Sequence, residues 1–174
     1  MISPAGINSA KGKNSVLLYS PNGTKTGCYE KINLFKPAGE EKVHLCGNKI
    51  EVFEFNGMKV CPLICYDLRF PEVFRTGIKK GADVFVVHAC WPKSRMDHWK
   101  ILLQARAVEN QSYVVGINRT GEEPETEYAG GSIVIDPQGN IILELGKESI
   151  CKEAILERSL VDEWRAAFPA LPKR

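Results

Sequence analysis

The stretch Val60-Cys61-Pro62-Leu63-Ile64-Cys65-Tyr66-Asp67-Leu68-Arg69-Phe70-Pro71-Glu72 joins an apolar run to a charged, proline-led segment, with a cysteine at the junction. Residues 59–64 are too few for an ordinary helix and rich in branched side chains, so they read as a strand. Pro71 has no amide hydrogen to lose and suits a first helical position, so a helix is predicted to follow. Cys65 then stands where strand turns into helix. The unpaired amides and positive dipole end of that helix are expected to favour the thiolate, lowering its pKa below the free value of about 8.5. Many cysteines are only buried filler. Asp67, Arg69 and Glu72, however, crowd charge against this one, which points to a nucleophile. Asp67 and Arg69 are expected to form a structural ion pair beside it.

Upstream, Asn56-Gly57 between residues 50–55 and 58–64 is the strongest hairpin signal in the chain. Residues 15–19 and 24–30 read as two further strands across a Pro21-Asn22-Gly23 turn. Residues 1–13 read as a loop or frayed end. Residues 36–48, rich in Pro, Gly and charge, read as an ordered loop carrying Glu40 and Glu41.

Downstream, residues 70–80 place Val73, Phe74 and Ile78 at helical spacing, with Gly81 as the stop. Residues 82–89 are a near-continuous apolar run and read as a buried central strand, ended by Cys90-Trp91-Pro92. A helix from about Asp97 to Gln111 sets Trp99, Leu102, Leu103 and Ala107 on one face, with Arg106 and Glu109 paired on its surface. Residues 113–118 form another buried strand, and 119–128 a polar, acidic loop. Residues 131–136 and 140–145 form a hairpin across Pro137-Gln138-Gly139. Residues 150–156 are a last strand, and Ser159 with Asp162 makes a capping-box-like start for a helix through Phe168. Hairpins mixed with strand-helix-strand crossovers predict an α/β fold: a mixed sheet with helices on one face and a second face that needs a partner layer.

The chain has 174 residues, 44% hydrophobic and 25% charged, which fits a single globular domain over 1–174. A formal charge of +2 provides no basic stripe, so nucleic acid and anionic membrane surfaces are not expected partners. The six cysteines include no CxxC pair and follow no cationic-then-apolar leader, so a reduced, cytoplasmic chain is expected, without zinc site or disulfide framework. No apolar run approaches the roughly 20 residues that span a bilayer.

Several ordered blocks resemble the carbon-nitrogen hydrolase (nitrilase) superfamily, and within it the omega-amidase branch. They are Tyr29-Glu30-Lys31-Ile32-Asn33-Leu34-Phe35, Cys65-Tyr66-Asp67-Leu68-Arg69-Phe70-Pro71-Glu72, Trp91-Pro92 with His98-Trp99, Ala105-Arg106-Ala107-Val108-Glu109-Asn110-Gln111-Ser112-Tyr113-Val114, Asn118-Arg119-Thr120-Gly121 and Pro137-Gln138-Gly139. The resemblance runs from about Asn14 to the end. It implies a nitrilase-like α-β-β-α sandwich with mixed sheets, paired with a second subunit, and a Glu-Lys-Cys catalytic set. Cys65 matches the nucleophile and Lys31 the lysine. Glu40 matches a supporting glutamate, with Glu41 its rival. The general-base glutamate, which the family carries in an amino-terminal strand-helix-strand portion, has no match, so an amino-terminally truncated and impaired enzyme is expected, with an exposed sheet edge and apolar surface.

The implied chemistry is thiolate attack on a small, carboxylate-bearing amide, an acyl thioester, and hydrolysis. Lys31 and the Tyr66 amide would stabilise the oxyanion, and Trp91 would line the substrate pocket. Read without the resemblance, Lys31 is better taken as a solvated strand-end lysine and Glu40 as a solvated loop carboxylate, and Trp91 nearly as well as a core aromatic. A Cys65–His98 pair is an alternative mechanism; His88 reads as a satisfied core histidine, and Cys61 lacks companions for a metal site. Neither cofactor nor metal is expected. The rival readings are a non-catalytic interaction chain that keeps only the fold, and the carboxy-terminal half of a split amidase completed by an amino-terminal fragment.

Overall fold

A computed structural model describes residues 11–171; most of the loop expected over residues 1–13 lies outside them. Its last two residues, β1 (Gly12–Lys13), pair in parallel with β4 (His44–Leu45), so they belong to a short bridge. β2 (Ser15–Tyr19) and β3 (Lys25–Glu30) form the hairpin that the Pro21-Asn22-Gly23 turn predicts. The expected 36–48 loop is more regular than its composition suggests: a 3-10 turn over Lys36–Ala38 leads through Gly39, at φ +70°, into the one-turn helix α1 (Glu40–Val43) and then β4. Glycine tolerates that left-handed backbone.

β5 (Phe53–Phe55) and β6 (Met58–Ile64) close around Asn56-Gly57, both at positive φ, as an Asn-Gly hairpin requires. After a 3-10 turn over Cys65–Arg69 comes α2 (Pro71–Lys79), begun by its proline. β7 (Val84–Ala89), α3 (Met96–Asn110) and β8 (Tyr113–Asn118) follow. The acidic segment expected as a loop is instead a hairpin of β9 (Thr120–Glu123) and β10 (Thr126–Ala129). β11 (Ile133–Ile135), β12 (Ile141–Glu144) and α4 (Arg158–Ala167) complete the chain.

Six strands form one mixed sheet in the order β12-β11-β8-β7-β6-β5. Its centre is parallel, with Ile64 opposite His88 and His88 opposite Ile117, so the carboxyl ends of β6, β7 and β8 lie side by side. Ligands of such sheets bind at those ends. On one face α2 and α3 cover Cys61, Leu63, Phe85, Val87 and Val114. Contact is close: a Cβ on Gly116 would sit 2.6 Å from Leu103 and 2.7 Å from Trp99, and one on Gly77 would sit 2.6 Å from Phe85.

The opposite face is not left wholly to a partner. Val161 of α4, with Leu156 and Leu160, packs on Met58, Val84 and Tyr113. Arg165 fastens the helix to Asp83, Ala82 and Ser112. Towards the carboxyl ends of the strands that face stays open, and Ile117 is exposed.

Three further expectations change. Residues 150–156 form no strand: Ile150 and Ile155 project outward, and only Leu156 docks. No side chain caps α4; Asp162 pairs with Arg158 one turn before it. Arg106 is buried, because its guanidinium turns inward to the carbonyl of Leu68 while keeping Glu109.

Candidate active site

Cys65 begins the 3-10 turn with φ +45°, a left-handed backbone unusual for a side chain with Cβ and typical of strained functional turns. The helix α2 starts only at Pro71, a full 3-10 turn after Cys65, and the expected lowering of the thiol pKa does not occur. Burial pushes the Cys65 thiol up; the Lys31 ammonium and the backbone amide of Cys90, which donates to the sulfur, oppose this without cancelling it.

Lys31 follows β3 directly, and its ammonium is buried. Its Nζ donates to Glu40 Oε2 at 2.5 Å. The Phe35 amide donates to the same oxygen at 2.6 Å and Asn14 Nδ2 to the other at 2.9 Å. Burial works to raise the Glu40 carboxyl, but Lys31 and these donors outweigh it and hold it below the usual carboxylate range. Glu40, not Glu41, therefore stands on Lys31; one Glu41 carboxylate oxygen is buried without a hydrogen bond. The backbone of Lys31 is pinned as well, its amide donating to Asn14 O and its carbonyl accepting from Gly47.

Asp67 makes no ion pair with Arg69. Fully buried, it accepts from the Tyr29 hydroxyl at 2.7 Å, the Ile64 amide at 3.0 Å, and both the amide and the side chain of Asn33. Even so, burial raises its carboxyl above the ordinary value. One anion thus ties the Lys31 segment to the Cys65 turn. The Arg69 guanidinium lies 4.9 Å over the Trp91 ring and contacts His98 Nδ1. His98 is exposed and engaged there, which removes the basis for a Cys65–His98 pair. His88 is only partly buried, and burial lowers its pKa. Cys61 packs against Gly77 under α2, its thiol pushed up to about 12 by burial.

Cys65 and Tyr66 open on a cleft of about 910 Å³. Phe35 and Tyr66 line it, and the Tyr66 ring meets Phe35 and, behind it, Phe70 edge-on, with centroids 4.9 and 5.2 Å apart. Trp91 both lines the cleft and belongs to the core, its ring tilted against that of Trp99 with centroids 5.5 Å apart. Its backbone is clamped by Asn118, which accepts from the Trp91 amide at 2.7 Å and donates to the Trp91 and Gly130 carbonyls. Arg69 and Arg95 line it, as do Glu123, Glu125 and Glu127 of the β9–β10 hairpin. Among the described residues no group of three or more His, Cys, Asp or Glu could hold a metal ion, and no helix is long and apolar enough to cross a membrane.

Sequence reasoning does not single out Asn14, Asn118 or the acidic hairpin as parts of the site, and it gives Asp67 the wrong partner. Only Asp67 left a usable signal, a lone acid in a motif flanked by apolar residues. The others act through contacts between residues far apart in the chain, which spacing does not encode.

The sequence profile of the carbon-nitrogen hydrolases matches residues 5–166. The chain is 40% identical over 156 residues to a 2-oxoglutaramate amidase of Bacillus subtilis, covering 90% of this chain and 60% of that protein. It is also 40% identical over 159 residues to the omega-amidase YafV of Escherichia coli K12, covering 90% and 61%. Among solved structures, a CN-hydrolase superfamily protein of Xanthomonas campestris with an arsenic adduct in its active site superposes with a TM-score of 0.86 at 32% identity, covering 91% of this chain and 62% of that one. The chain thus spans about 60% of the length of these relatives.

Proposed function

Because the chain belongs to the carbon-nitrogen hydrolase family, we propose that it performs, alone or as part of a longer protein, thiol-dependent hydrolysis of the carbon-nitrogen bond in small carboxylate-bearing amides. The observation that carries this reading is the Lys31–Glu40 pair, buried beside Cys65 and supplying the cation that favours its thiolate. The Cys65 sulfur attacks the amide carbon. The oxyanion that forms is met by the Lys31 ammonium and by the Tyr66 amide, because the first amides of a helical turn have no partner within it. Each such donor is typically worth about 3 kcal/mol in the transition state. The carbon-nitrogen bond breaks as nitrogen takes a proton, ammonia leaves, and a thioester remains. Water then attacks the thioester and the carbon-sulfur bond breaks, returning the thiol and releasing the acid.

Glu40 is occupied by Lys31, Asn14 and the Phe35 amide, so it positions the lysine and is poorly placed to move the protons of ammonia and water. The other titratable neighbours that act on the Cys65 thiol are Lys31 and Cys90. General acid-base help is typically worth about a hundred to ten thousandfold, and turnover by these residues without a further base is expected to be slow. Arg69 and Arg95 in the cleft form no ion pair among the described residues, and they offer guanidinium groups to a substrate carboxylate. The names of the two amidase relatives favour the same substrate class. Exposed Ile101 and Val108 on α3 support pairing with a second subunit.

The test is ammonia release from a panel of small amides, including omega-amides of dicarboxylic acids, with Cys65→Ala as control. Release that vanishes in the variant supports the reading. Release that persists without Cys65 refutes the thiol mechanism, and no release from any amide favours a non-catalytic interaction chain.

A further inference from the structure

We propose that Cys90 is a resolving thiol for Cys65, so that a hydroperoxide closes the two into a disulfide across the floor of the cleft. The two residues are 25 apart in sequence, and the parallel pairing of β6 with β7 brings them together. Ile64 is opposite His88, so Cys65 leaves β6 one residue out of step with Cys90 leaving β7. Adjacent strands lie about 4.8 Å apart, within the Cα separations of about 4.4–6.8 Å that disulfides bridge, and the two cysteines directly follow the ends of such neighbouring strands. The backbone amide of Cys90 already donates to the Cys65 sulfur.

Access and surroundings point the same way. Both cysteines line the cleft, Cys90 exposed and Cys65 partly so. The Arg119 guanidinium, paired with Glu123, also lies close to the Cys90 thiol. Arg119 is itself fixed by its amide on the Ala89 carbonyl. None of the other cysteines lines this cleft, and Cys61 is wholly buried.

The chemistry proceeds in two steps. The Cys65 thiolate attacks the hydroperoxide, the oxygen-oxygen bond breaks, the alcohol or water leaves with a proton, and Cys65 becomes a sulfenic acid. Cys90 sulfur then attacks the Cys65 sulfur, the sulfur-oxygen bond breaks, and hydroxide leaves as water with the Cys90 proton. Two thiols are oxidised by two electrons, and the peroxide is reduced by the same two. An external dithiol reverses the link by exchange. The disulfide blocks the sulfur from substrate and also from further, irreversible oxidation. This consequence for activity rests on the amidase reading; formation of the link does not.

The experiment is graded hydrogen peroxide on the native protein, alkylation of the remaining thiols, and peptide mass mapping without reductant. The expected result is a Cys65–Cys90 linked peptide pair, two hydrogens lighter than the dithiol, that dithiothreitol converts back to free thiols. In Cys90→Ser, Cys65 should instead accumulate sulfinic and sulfonic acid, with the dithiothreitol-resistant fraction several-fold above wild type. Wild-type Cys65 that goes to the same acids without passing through the linked pair, or that links to another cysteine, would overturn the proposal. A linked pair in a protein that releases no ammonia would sink the amidase reading and leave this one standing.

Discussion

The carboxylate of Asp67, in the turn opened by Cys65, accepts the backbone and side-chain N–H groups of Asn33 at 2.9 and 3.0 Å, just past Lys31. That contact fixes the distance between nucleophile and lysine, although neither group takes part in it. Replacing Asp67 by Ala leaves the Tyr29 hydroxyl and the Ile64 and Asn33 amides without their acceptor in a buried site. Each unsatisfied buried group costs about 1–3 kcal/mol, so a loss of roughly 3 kcal/mol or more is expected in urea unfolding. Asp67→Asn keeps an acceptor oxygen and should lose less.

Glu40→Gln keeps the shape of the carboxylate and removes its charge, leaving the Lys31 ammonium buried and unpaired. Breaking a buried pair from one side typically costs about 3–5 kcal/mol. The double variant with Lys31→Met should recover much of that loss, which a double-mutant cycle measures. The sign with pH follows from the lowered carboxyl. Glu40 stabilises the fold above its ordinary pKa of 4.5, and that contribution is lost as pH falls through its lower folded value. In Glu40→Gln this part of the acid dependence should disappear from the unfolding curve.

Because burial raises the Cys65 thiol, its alkylation by iodoacetamide should keep accelerating with pH beyond the free-thiol value of about 8.5. Removing the Lys31 charge takes away support for the thiolate, so Lys31→Met should move the inflection higher still. A profile that inflects below the free-thiol range would show that the sulfur is activated by something other than these neighbours.

Asn118→Ala removes three hydrogen bonds that hold the chain at Trp91 and Gly130. A destabilisation of about 2–3 kcal/mol is expected, since two carbonyls and one amide lose their partner. Trp91 should also loosen over Arg69, which quenching of tryptophan fluorescence by acrylamide would report as increased access.

Much of this fold is legible because local and global signals agree. β2, β6 and β8 fall on their expected residues, and Asn56-Gly57 and Pro71 mark their turn and helix where turn and helix chemistry requires. Residues 150–156 mislead because an apolar pattern says strand while no neighbouring strand is there to pair with it. The 119–128 segment misleads in the opposite sense: its glutamates suggest a loop, yet a hairpin needs only paired backbones, and Glu123, Glu125 and Glu127 line the cleft. In the site, the motifs mark Lys31 and Cys65, and the loop between them carries Glu40. Sequence cannot reveal that Glu40 accepts from three donors, that Asp67 spans two motifs, or that Cys90 lies at the Cys65 sulfur. Those relations arise from strand register and from burial, which also reverses the expected shift of the thiol.

Acid-quenched intact-mass spectrometry after mixing with a small omega-amide shows whether Cys65 carries the acyl group of an amide. An acyl adduct on Cys65 is expected, accompanied by ammonia and absent from Cys65→Ala. A Cys65 that remains unacylated, in a sample where iodoacetamide still labels it, would rule out thioester catalysis by this residue.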